Sequence, residues 1–151
     1  MSYPSTWTVI NDAATGNSAE GIAYTASWRS PFYNLGDADW FGLWIDVSAT
    51  SGTTEVLDID VEMSPDTGAG TVQDITYPAA ANSQTGAVLA QINGAAEAFK
   101  YWRYVLPTRG TSGAGLRGRW GIRFFFEIGG TSPSFTIATV RMMYVARGST
   151  G

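Results

Sequence analysis

Apolar and polar residues alternate along much of this chain with a period of two, the spacing of a half-buried β-strand. Residues 55–64 (EVLDIDVEMS) put Leu57, Ile59, Val61 and Met63 on one side and Val56, Asp58, Asp60 and Glu62 on the other. This predicts an antiparallel strand with an acidic outer face. In residues 119–128 (RWGIRFFFEI), Trp120, Ile122, Phe124, Phe126 and Ile128 face one way, and Arg119, Gly121, Arg123, Phe125 and Glu127 the other. Residues 40–47 carry Phe41, Leu43, Ile45 and Val47 inward, with Trp40 and Trp44 opposite. Residues 21–29 place Ile22, Tyr24, Ala26 and Trp28 on one face, while 6–10 is short and 71–77 weaker. Residues 99–106 (FKYWRYVL) and 135–146 (FTIATVRMMYVA) are apolar on both faces. Only residues 95–98 suggest a helical turn.

Gly- and Pro-bearing turn signals separate these runs, at 64–68, 78–86, 108–118 and 129–133. About eight strands at this spacing predict an all-β fold: an antiparallel β-sandwich, jelly-roll-like. The chain reads as one domain over residues 6–151, preceded by a flexible arm at residues 1–5. The long loop 108–118 (TRGTSGAGLRG) is of the kind that carries contacts.

A strand exposed on one side should be polar there. In 135–146, however, Phe135, Ile137, Met143 and Val145 share one parity, and Ala138, Val140, Met142 and Tyr144 the other. Either a bulge or loop covers the second face, or another copy does. The second reading assigns Phe125, Val140, Met142 and Tyr144 to a subunit interface, since Tyr, Phe and Met are enriched there.

Composition narrows the chemistry. The 151 residues include no Cys and no His. Disulfides, thiol nucleophiles and imidazole acid–base chemistry are thereby excluded, and zinc sites are disfavoured. No Gly-rich stretch reads as a phosphate-binding loop. The N-terminus lacks a basic start and an apolar core, so it is not expected to be a secretory signal, and folding in the cytoplasm is expected. No apolar run is long enough to span a membrane as a helix.

Net charge is −4, and it is unevenly placed: twelve acids against one base through Ala98, then eight bases against one acid. The two sets can pair within one subunit or between neighbouring copies. Asp58, Asp60 and Glu62 fall about 7 Å apart along one strand face, a spacing used by inverting glycosidases. One alternating strand produces the same spacing without any catalytic role. Asp37 and Asp39 are too few for a calcium loop. Lys100, Arg103, Arg117, Arg119 and Arg123 interleave with Tyr101, Trp102, Tyr104 and Trp120, a mixture that can bind single strands. The acidic balance argues against nucleic acid as partner. Trp40 and Trp44 form a possible sugar-stacking pair; packing under a neighbouring element is the alternative.

Residues 59–66 (IDVEMSPD), 104–107 (YVLP) and 128–140 (IGGTSPSFTIATV) carry a resemblance. A strand ending in SPD, an Arg-bearing aromatic strand, and GGTSPSFT leading the last strand resemble small virion structural proteins of tailed bacteriophages. In particular they resemble the capsid decoration (cement) proteins. The resemblance covers roughly residues 58–140 and rests on these short stretches. It implies a jelly-roll-like sandwich bound to the outside of an assembled capsid, commonly as a trimer and sometimes as a dimer. It carries over no catalytic residue and no cofactor. The GGTSP stretch itself reads as a rigid hairpin, with Gly129 and Gly130 free to take positive φ and Pro133 fixing a turn.

The expectation is therefore a non-enzymatic capsid decoration protein on the capsid exterior. Its partners would be the major capsid protein and itself, as a homotrimer ahead of a homodimer, with neither nucleic acid nor membrane involved. Capsid contacts are assigned to the arm (Tyr3, Pro4) and the long loop (Arg109, Leu116, Arg117). The alternatives are a carbohydrate- or receptor-binding domain of a phage tail fibre or tail tip and, more weakly, a glycosidase using Asp58 and Asp60.

Overall fold

The computed structural model describes residues 7–35, 38, 40–64, 75–76, 88–94, 96–105 and 121–145. Among these there is no helix, and every strand joins one antiparallel sheet. In chain order the strands are β1 (Thr8–Val9), β2 (Ile22–Tyr24), β3 (Trp28–Arg29), β4 (Tyr33–Asn34) and β5 (Trp40–Ser64). They continue with β6 (Ile75–Thr76), β7 (Val88–Asn93), β8 (Glu97–Val105) and β9 (Gly121–Tyr144).

The sheet is built on β5 and β9, of 25 and 24 residues, which pair with each other from Phe41↔Tyr144 to Ser64↔Gly121. Along β5, β8 pairs with residues 40–47, and β7 and β6 pair with residues 56–63. Along β9, β1 and β2 pair with residues 135–142, and β3 and β4 with residues 121–126. Each long strand thus contributes an arm to two halves of the sheet. Number the arms 8–24, 28–34, 40–50, 56–64, 88–93, 97–105, 121–130 and 133–144 in chain order. One half then runs 1-8-3-6 and the other 2-7-4-5.

The halves fold onto each other. Twenty residues of β5 separate Phe41 from Val61, the partner of Phe124; extended, they would span about 66 Å. Yet the Phe41 and Phe124 rings meet edge to face with centroids 5.7 Å apart. The residues predicted inward, Phe41, Leu43, Ile45, Val47, Leu57, Ile59, Val61, Ile122, Phe124 and Phe126, are buried in one cluster between the halves.

The crease lies where the ladder loses register, at residues 51–56 of β5 and 129–134 of β9. The two strands make it with matching triplets, Gly52-Thr53-Thr54 and Gly130-Thr131-Ser132, and Thr53 pairs with Thr131 between them. Gly52 and Gly130 have φ of 124° and 115°, and Thr54 and Ser132 have φ of 53° and 50°. The GGTSP stretch is therefore no hairpin: Gly130 has the predicted positive φ, but β9 runs straight through as one bent strand. Nor is there a helical turn at 95–98, because Glu97 and Ala98 already belong to β8, which follows β7 through Gly94 (φ 54°).

A second irregularity settles the two-sided last strand. Asp46 pairs with Thr139 and Val47 with Ile137, so Ala138 has no opposite residue. This bulge switches the inward parity from Phe135 and Ile137 to Val140 and Met142. All four are fully buried in the chain's own core. The assignment of Val140 and Met142 to a subunit interface is thereby overturned. Tyr144, on the same parity, packs half-buried against that core, so its assignment to the interface falls too, while Phe125 is half-buried on the outer face.

Candidate functional site

The outer face of the half containing residues 40–50 is aromatic. Trp40, Gly42 and Trp44 share the outward parity of β5, and cross-strand pairing aligns Arg103 with Gly42 and Tyr101 with Trp44 on β8. On the other side Met143 lies opposite Gly42 and Arg141 opposite Trp44. Trp7, just before β1, joins them: its ring meets Trp44 at 5.5 Å and Tyr101 at 6.0 Å, both edge to face.

Guanidinium groups sit over the indoles, Arg103 at 4.5 Å from the Trp40 ring and Arg141 at 5.7 Å from the Trp44 ring. Trp44 Nε1 donates to Asp46 Oδ1 at 3.2 Å. Gly42 leaves room for the Tyr101 ring to lean across it: a Cβ would fall 2.6 Å from that ring and push it aside. Tyr101 remains 39% exposed. Arg141 is anchored from the rim by Glu20, with Nε to Oε1 at 2.7 Å and Nη2 to Oε2 at 3.2 Å. That guanidinium holds the Glu20 carboxyl below the usual carboxylate range.

Trp40 and Trp44 thus share a face, as predicted, but as part of a continuous surface of Trp, Tyr, Met and Arg. Period-two reading found the two tryptophans. It missed Trp7, Arg141 and Met143, which arrive by pairing from distant segments.

The outer face of the other half is acidic and carries the other candidates. Asp58 faces Glu127 across the ladder and accepts from Gln91 Nε2 at 2.7 Å. Glu62 is paired with Arg29 (3.3 Å) and with Arg123. Arg29 lies 3.9 Å from the Phe125 ring and Arg123 4.7 Å from that of Phe32. Acids from the first part of the chain therefore pair with late bases inside the molecule, through Glu62–Arg123 and Glu20–Arg141. Arg103 and Arg123 lie on outer faces of opposite halves, so they do not form one basic patch.

Asp60 stands between Asp58 and Glu62. It is only 4% exposed, and its Oδ1 is buried without a hydrogen-bond partner. Burial first, then the charges of Glu127, Asp58 and Glu62, push its carboxyl up to about 6. The folded state therefore binds this proton more tightly than the unfolded chain does. The associated stability is full below pH about 4 and is lost as pH rises through about 6. Asp60→Asn is expected to be more stable than the parent at pH 7, with the difference vanishing near pH 4. We expect about 1–3 kcal/mol, the upper end being the full shift from 3.8 to about 6. Urea unfolding of both proteins across pH 4–7 measures it, and a pH-independent difference would contradict the assignment.

Among the described residues no group of acids could hold a metal ion, and no helix is long and apolar enough to cross a membrane. Tyr3, Pro4, Arg109, Leu116 and Arg117, together with Asp37, Asp39, Arg119 and Trp120, lie outside the described residues. Comparison with family models, curated proteins and solved structures finds no match to this chain.

Proposed function

We propose that this is a virion structural protein of the capsid decoration type, docking on the outside of an assembled bacteriophage head. The observation that carries the proposal is the outer face of Trp7, Trp40, Trp44, Tyr101, Arg103, Arg141 and Met143. Trp, Tyr and Arg dominate the energetics of protein–protein contacts. A monomer has little reason to assemble them on a sheet face that its core does not use. The pairing order 1-8-3-6 and 2-7-4-5 is that of a jelly roll, the fold the family resemblance implies, and this supports the reading. A protein that binds only the assembled shell stabilises that state by mass action, and many copies hold the lattice through individually modest contacts. The major capsid protein is the proposed partner, with copies contacting one another through Phe125.

The test is co-sedimentation with purified heads. Parent protein is expected to pellet with heads at high copy number. Trp40→Ala/Trp44→Ala, altered on an outer face, is expected to bind at least about tenfold more weakly while melting cooperatively. Equal binding of the two proteins, or no binding by the parent, overturns the proposal.

A further inference from the structure

A cleft lies away from the aromatic face, between the turn at residues 12–14 and the bend that joins β2 to β3. We propose that this cleft binds a neutral saccharide unit, independently of shell docking. Its volume is about 610 Å³, within the range of small-molecule sites.

Three features select the ligand class. The first is a buried acceptor. Asp12 takes the Ala14 N–H on Oδ1 at 2.8 Å and the Tyr24 hydroxyl on Oδ2 at 3.2 Å. Burial, then the Asp12 charge, raises the Tyr24 pKa, so the phenol stays a donor and holds the carboxylate in place. Each carboxylate oxygen keeps a second lone pair for a ligand hydroxyl.

The second is a buried donor. Trp28 lines the cleft, and its Nε1–H is buried with no hydrogen-bond partner, a state costly to leave unmade. Ser27 adds a hydroxyl whose oxygen already accepts the Ile128 N–H, leaving its proton to donate. A ligand must therefore supply donors and acceptors side by side, as adjacent sugar hydroxyls do.

The third is what the walls withhold. The Trp28 ring is stacked on Tyr24 at 4.4 Å and on Phe126 at 3.9 Å, so its π surface is engaged within the protein. Arg29 also lines the cleft, but its guanidinium is committed to Glu62 and the Phe125 ring, so among the lining residues Asp12 alone offers a charged group, already shared with the Tyr24 hydroxyl. Alanine methyls at 13, 14, 23 and 26 complete the lining and suit the C–H faces of a pyranose.

The experiment titrates the full chain with glucose, galactose, mannose, rhamnose and N-acetylglucosamine, followed by calorimetry and saturation-transfer NMR. At least one is expected to bind at one site per chain with millimolar or tighter affinity. Asp12→Asn is expected to weaken binding about tenfold or more. Ala26→Leu, exposed at the mouth, is expected to abolish it with an unchanged melting curve, and it decides the matter should Asp12→Asn not fold. No binding of any of the five at about 10 mM, or binding that survives Ala26→Leu, overturns the proposal. So does uptake of a short uncharged peptide in their place. Head binding is measured separately, so either proposal can fail alone.

Discussion

Phe124→Ala is expected to cost about 3–5 kcal/mol of folding free energy, the range for truncating a fully buried phenylalanine. In a domain of this size that corresponds to a fall in Tm on the order of 10 °C. The cost is high because Phe124 bridges the halves: it touches Phe41 at 5.7 Å and Phe126 at 6.3 Å in the one core they share. Phe125, one residue on, points outward under Arg29. Phe125→Ala should therefore cost only about 1 kcal/mol, chiefly the lost cation–π contact and ring packing. A cycle with Phe41→Ala should show coupling of about 0.5–1.5 kcal/mol, because the two rings meet only when the sheet is folded over. Chemical unfolding of the four variants measures all of this. Equal costs at 124 and 125 would mean that the strand's facing is misassigned.

Gly130→Ala is expected to destabilise by about 2–4 kcal/mol, while Gly129→Ala next to it is close to neutral. At Gly130 φ is 115°, and an added Cβ would lie 2.9 Å from Glu55 Cα and from the Thr54 carbonyl oxygen. Those are backbone atoms of the partner strand and cannot swing aside. A Cβ at Gly129 meets nothing within 4 Å. Gly52→Ala should resemble Gly130→Ala, since its Cβ would lie 2.9 Å from Pro133 Cα across the same crease. Urea unfolding of the three variants is the measurement. Similar values at 129 and 130 would remove the crease as the point on which the fold turns.

The candidate surfaces were legible to different degrees. Asp58, Asp60 and Glu62 were placed outward by alternation alone, and they are outward. That Asp60 is buried with an unpartnered oxygen depends on what packs around that face, which one strand's sequence does not contain. Trp40 and Trp44 announced a shared face in the run Trp-Phe-Gly-Leu-Trp, whereas the close approach of Tyr101 over Gly42 comes from another strand and was not legible there. The cleft at Asp12 and Trp28 gave no signal, because its walls meet through the Tyr24–Asp12 hydrogen bond across a hairpin.

By itself the sequence determined that this chain is all-β and which side chains of the runs at 41–47, 57–61 and 122–126 face inward, though not those of 21–29, where Ile22 and Ala26 are exposed. Successive residues of a strand point to opposite sides, so a period of two is a local property. The tertiary structure decided where that period breaks. The bulge at Ala138 turned Val140 and Met142 from a supposed interface into core, and the paired glycine triplets joined the separate runs 40–47 with 55–64, and 119–128 with 135–146, into two continuous creased strands. A single unpaired residue reverses every side chain beyond it, and whether one is left unpaired is fixed by the partner strand, far away in the chain.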